Sequence, residues 1–142
     1  MTVYADSSFL ISSYVQDSHL IEFLRRISSH PAVWITPFHK AEVAHGIYLH
    51  VFHKMLSPDA AARAWNEFLQ DCAAGVWTSV SLPERTWETC ATLARQYGPT
   101  LGVRTLDSLH VACALELKAE RFWTFDQRQV RLAEAVGLDT SA

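Results

Sequence analysis

Four short runs rich in apolar residues, separated by longer stretches with helical spacing, constrain this chain more than any other feature. They are Thr2 to Ala5, Val33 to Ile35, Val76 to Leu82 and Arg121 to Phe125. Strands separated by helices pair in parallel, because a crossover long enough to hold a helix returns the chain to the same edge of the sheet. Parallel strands are covered on both faces, which is why they read as continuous apolar runs. The predicted fold class is therefore α/β, a three-layer α/β/α domain around a short parallel central sheet.

Helices are predicted from Ser7 to Tyr14 and from Asp17 to Ser29, the second with Asp17 or Ser18 as its N-cap. Thr36 before Pro37 reads as N-cap and first helical residue of a long helix reaching Met55. Others run from Pro58 to Ala74, stopped by Gly75, and from Pro83 to Tyr97, ended by Gly98-Pro99. The last two span Thr105 to Lys118 and Gln127 to Val136, the latter closed by Gly137.

At 142 residues, the chain has the length of one domain, taken here as residues 1–142. With 49% hydrophobic residues against 19% charged, it is excluded from the disordered and low-complexity classes. No apolar run is long enough to span a bilayer, and the first residues lack the basic-then-apolar pattern of a signal peptide. Three widely spaced cysteines make neither a disulfide framework nor a zinc ribbon, which fits a reducing cytoplasm.

In parallel sheets, ligands bind beyond the carboxyl ends of the strands. Asp6 follows the first run there and Asp126 the last, while Asp107 lies in the first turn of its helix. Glu42 sits early in the long helix, beside its apolar stripe. Taken singly, each acid has a plainer role, as a turn former, helix cap or solvated edge residue. Together they crowd one end of the sheet. Two ionised carboxylates about 5 Å apart repel by roughly 3 kcal/mol at an effective dielectric near 20. Three or four of them call for a cation, and an all-oxygen set selects a hard one such as Mg²⁺ or Mn²⁺. Such an ion generates a nucleophilic hydroxide and stabilises a leaving oxygen in phosphoryl chemistry.

Four segments stand in order along the chain: Tyr4-Ala5-Asp6-Ser7-Ser8-Phe9-Leu10, Ala41-Glu42-Val43-Ala44-His45-Gly46, Thr105 to Ala114 with its Asp107, and Trp123-Thr124-Phe125-Asp126. Together they resemble the motifs of one family, the PIN-domain ribonucleases. The resemblance covers nearly the whole chain and is to the VapC-like toxin component of type II toxin–antitoxin modules. It implies a metal-dependent endoribonuclease in which Asp6, Glu42, Asp107 and Asp126 gather around one or two Mg²⁺ or Mn²⁺ ions. Asp6 and Asp107 are then the principal ligands, and Asp126 binds directly or through water. Glu42 completes the set or orients the attacking water, while Ser8 and Thr124 hold the carboxylates by hydrogen bonds. Two departures stand out: Ser7 occupies a position where Thr is frequent, and Gln127-Arg128 replaces a further acid that would serve a second metal.

The chain carries 12 basic and 15 acidic residues, so removing the four candidate ligands leaves 12 − 11 = +1. Lys40, Arg104, Arg128 and Arg131 adjoin the motifs and are candidate phosphate contacts. Glu42-x-x-His45 is half of a di-iron pattern whose second half is missing. A dehalogenase-like phosphatase needs an acid at position 8, where Ser8 stands. The alternatives left open are an RNA-processing nuclease without an antitoxin and a non-catalytic binding domain. Expected partners are an RNA substrate, an antitoxin protein and a second copy of the chain, with no membrane. Apolar residues around Ile47 to Phe52 and Ala64 to Phe68 mark either that interface or the core.

Overall fold

The computed structural model describes residues 1–142. Its strands are β1 (Thr2–Ala5), β2 (Ala32–Ile35), β3 (Thr78–Ser79) and β4 (Arg121–Trp123). All pair in parallel, in the order β3-β2-β1-β4. The N-terminal strand is therefore central, with Tyr4 level with Trp34 on one side and Phe122 on the other. Seven helices fill the intervals: α1 (Ser7–Val15), α2 (Leu20–Ile27), α3 (Pro37–Phe52), α4 (Pro58–Ala73), α5 (Thr86–Leu101), α6 (Thr105–Leu117) and α7 (Gln127–Ala135). None is long and apolar enough to cross a membrane.

The two-residue period of the strands divides the interior in two. Val3, Ala5, Val33, Ile35 and Trp123 face a cluster completed by Phe9 and Leu10 of α1, Phe23 of α2, Val43 and Ile47 of α3 and Phe68 of α4. Tyr4 and Phe122 face the opposite way, onto Leu93 of α5, Leu109 and Ala112 of α6 and Leu132 of α7. The buried residues of β1, β2 and β4 thus divide between the two layers, as a sheet covered on both faces requires, while the two residues of edge strand β3 stay exposed.

Several element ends differ from expectation, each for a local reason. α2 begins at Leu20 with His19 as its N-cap, because Asp17 spends its carboxylate on the His19 N–H at 2.9 Å and makes a turn instead of a cap. α3 stops at Phe52, where Lys54 turns into the left-handed region at φ 59°. α5 runs through Gly98-Pro99 and ends at Gly102, whose φ of 63° closes the helix by a 3.0 Å bond back to the Gly98 carbonyl. Pro99 forfeits one helical donor, and packing of Tyr97 and Leu101 against the second cluster outweighs that loss. β3 shrinks to two residues because it pairs only with β2, at Trp34 and Ile35. β4 ends at Trp123 because side chains, described below, take over the next backbone donors.

Candidate active site

Three of the four candidate acids sit at helix N-termini, where each also accepts a backbone N–H. Asp6 leaves β1 and caps α1, accepting the Phe9 N–H at 3.1 Å. Asp126 caps α7 through the Arg128 N–H at 2.8 Å. Asp107, in the first turn of α6, reaches back to the Arg104 N–H at 3.0 Å. Helix N-termini carry partial positive charge and favour anions placed against them.

Ser8 and Thr124 hold Asp6 as a pair. Ser8 Oγ donates to its two oxygens at 2.7 and 2.9 Å, and Thr124 Oγ1 donates to Oδ2 at 2.9 Å. The same hydroxyls accept the backbone N–H groups of Phe125 and Asp126, at 3.2 and 3.0 Å. These bonds end β4 at Trp123 and aim Asp126. Asp6 is only 2% exposed. Burial pushes its carboxyl above the usual range, against the opposing pull of His110 and its hydrogen bonds.

Glu42 reaches the same region from α3. Ser7 Oγ donates to its Oε1 at 2.7 Å, and His110 Nε2 bonds the same oxygen. Burial raises the Glu42 carboxyl, but His110 and Ser7 outweigh it and hold the group below its ordinary value. His110 is in turn bonded at Nδ1 by the Tyr4 hydroxyl at 2.8 Å. A second buried histidine, His39, accepts the Thr36 N–H at Nδ1 (2.9 Å) and donates from Nε2 to the Ala5 carbonyl (2.7 Å). A carbonyl only accepts and an N–H only donates, so this ring is the neutral Nε2–H tautomer.

One cleft of about 780 Å³ opens at the carboxyl edge of β1. Asp6, Glu42, Asp107, Asp126, Ser8 and Arg104 all line it; Thr124 is buried and does not. Lys40 and Arg128 are exposed but do not line it. The structure adds Ser7, His45, His110 and Gln129 to the wall. Gly46 lets α3 approach α1 there, since a Cβ on it would stand 2.2 Å from Ile11 Cδ1.

No three His, Cys, Asp or Glu side chains stand close enough together to hold a metal ion as they are. The donor chemistry nevertheless fits a hard cation, because four carboxylates share the wall and Asp6 is buried among neutral donors alone. Among the arginines and lysines, Arg104 is the one paired with an acid of the set, 3.7 Å from Asp107 and itself largely exposed. Binding an ion requires the carboxylates to close up around it.

A search of curated proteins finds no match. Among solved structures, VapC20 of Mycobacterium tuberculosis, a sarcin-ricin loop cleaving toxin, is 14% identical, covering 98% of each chain at a TM-score of 0.67. VapBC2 of Rickettsia felis, bound to a DNA fragment from its promoter, is 13% identical over 99% of this chain and 98% of that one, at 0.65. FitAcB of Neisseria gonorrhoeae is 16% identical over 99% and 96%, at 0.64. At such identities the likeness is one of fold. The PIN domain family model matches residues 3–135, nearly the full length, and this chain belongs to the PIN domain family.

Proposed function

We propose that this PIN-domain protein is a metal-dependent endoribonuclease and the toxin of a cytoplasmic toxin–antitoxin pair. The observation that carries this is one cleft walled by Asp6, Glu42, Asp107 and Asp126, drawn from four helices at the carboxyl edge of the sheet. Asp6, Asp107, Asp126 and Glu42 would hold Mg²⁺ or Mn²⁺, which would supply Lewis-acid activation and charge stabilisation for phosphodiester hydrolysis.

The chain's own groups prepare the site. Ser8 and Thr124 keep Asp6 from rotating away, Ser8 sharing its one hydroxyl proton between both oxygens at 2.7 and 2.9 Å and Thr124 donating at 2.9 Å. Glu42, held ionised by His110 and Ser7, orients the water or accepts its proton. Arg104, exposed on the rim, contacts a substrate phosphate; Lys40 and Arg128 lie outside the cleft and contribute only to distant strand contacts. The substrate is RNA, in keeping with the relative named as cleaving the sarcin-ricin loop.

Two of the similar structures are of VapBC2 and FitAcB, and this supports a cognate antitoxin here. The end of α3 suits such a partner or a homodimer. Phe52 is 77% and Met55 69% exposed, next to exposed Tyr48 and Leu49, whereas Ala64 and Phe68 are core.

The test is cleavage of a mixed cellular RNA pool by the purified chain with Mg²⁺ or Mn²⁺, beside EDTA, Asp6→Asn and Asp107→Asn. Metal-dependent cuts abolished in both folded variants support the reading. A folded wild type inert across metals and RNAs overturns it in favour of a binding domain.

A further inference from the structure

Glu42 and His110 come from opposite layers. α3 packs with α1 and α4, and α6 with α5 and α7. Between them runs a hydrogen-bonded chain from the Tyr4 hydroxyl to His110 Nδ1 (2.8 Å), and from His110 Nε2 to Glu42 Oε1. The Ser7 hydroxyl lands on the same Oε1. Glu42 Oε2 therefore has no protein partner and remains available to the cleft. We propose that His110 is a positioning residue of this site, held by Tyr4 and in turn holding Glu42, so that cation affinity depends on a buried phenol–imidazole–carboxylate relay. This rests on the reading of the cleft as a metal centre.

The geometry leaves the imidazole little freedom. His110 is 1% exposed, with Phe38 at 4.6 Å, His39 at 5.1 Å and Tyr4 at 5.7 Å between ring centroids. A carboxylate offers only lone pairs, so the nitrogen facing Glu42 carries a proton. A phenol that donates to Nδ1 enforces this tautomer. Removing the Tyr4 hydroxyl frees the proton to move to Nδ1, which would turn a lone pair toward Glu42. Partners that orient a metal-binding side chain typically change metal affinity about 10–100-fold when lost.

The experiment measures Mn²⁺ affinity of the full chain by electron paramagnetic resonance of the free ion, without RNA. Circular dichroism checks folding. The variants are His110→Phe, His110→Gln, Tyr4→Phe, Glu42→Gln, Asp6→Asn and the Glu42→Gln/His110→Phe double. The expected result is a loss of about tenfold or more in His110→Phe. Tyr4→Phe gives a smaller loss, and His110→Gln, whose amide can still donate to Glu42, recovers most of it. In the Glu42→Gln background His110→Phe costs nothing further, an outcome that general loosening of the fold does not produce. A folded His110→Phe that binds as wild type, or loses equally in both backgrounds, overturns the proposal. Should His110→Phe fail to fold, Tyr4→Phe decides through the same cycle, since it removes one oxygen atom. Wild type that binds no Mn²⁺, or binds it no better than Asp6→Asn, overturns the metal-centre reading and the relay with it. Asp6→Asn weakened beside an unaffected His110→Phe overturns the relay alone.

Discussion

Acid should unfasten this fold at His39 before most carboxylates titrate. The ring is fully buried, donating to the Ala5 carbonyl and accepting from the Thr36 N–H. Burial, aided by His110, lowers its pKa from 6.5 to about 3. The folded value lies below the unfolded one, so the unfolded chain takes up the proton first. The stabilisation is whole above about pH 6.5 and falls by about 1.4 kcal/mol per pH unit below it, until the folded value is reached. Between pH 7 and pH 5 the loss is about 2 kcal/mol, a sizeable part of a typical 5–15 kcal/mol stability. Any folded value below 4 yields the same loss at pH 5, because the ring is still neutral there. The control is His39→Gln, since Gln in the first turn can return a hydrogen bond to the Thr36 N–H without titrating. Urea unfolding of both proteins in EDTA, at pH 5, 6, 7 and 8, gives their stability difference. Carboxylates common to both cancel, and the gap should shift against wild type by about 2 kcal/mol from pH 7 to pH 5. A constant gap would falsify the assignment of His39 as a buried neutral ring.

Gly46→Ala gains about 1 kcal/mol of helix propensity and crowds chiefly the flexible end of half-buried Ile11, whose Cδ1 would stand 2.2 Å from the new Cβ. Thermal melting should show a larger gain from Gly46→Ala in an Ile11→Val background, which removes that atom, than in wild type; equal effects would mean that Ile11 is not the obstacle. Pro99→Ala restores a donor in the exposed last turn of α5 and should raise stability by about 1 kcal/mol in urea unfolding. Tyr14→Phe leaves the Trp77 Nε1–H, now 2.7 Å from the hydroxyl, and Asp71 without their shared partner. A destabilisation of about 1–3 kcal/mol is expected; an unchanged urea midpoint would refute that bond's contribution.

Strand–helix alternation and the acids beyond the strands were readable because they depend on local pattern. Val3 and Tyr4 choose their layers by the two-residue period, and Thr36-Pro37 begins α3 by backbone geometry alone. Where long-range partners decide, the pattern was silent. The Ser8 bond to Phe125 N spans 117 residues, so the end of β4 at Trp123 could not be read nearby. His110 looks like an ordinary helix residue until Tyr4 and Glu42, 106 and 68 positions away, are folded against it. Gly98-Pro99 carried a strong local stop signal that tertiary packing overrode. His39 was hidden differently: it fills the position three residues after the cap where Glu or Gln is customary, and no spacing rule marks it.

The central place of β1 has a consequence for synthesis. Of the four strands of this sheet, β1 is flanked by β4, the one made latest, and Asp6 waits for Thr124, 118 residues later, to complete its hydrogen bonds. At about 5–20 residues per second, the 126 − 42 = 84 residues from Glu42 to Asp126 take roughly 4–17 s to translate. During that interval one wall of the cleft exists on the ribosome without the other. The nascent chain therefore emerges without a finished cleft, which closes only once Asp126 has been made.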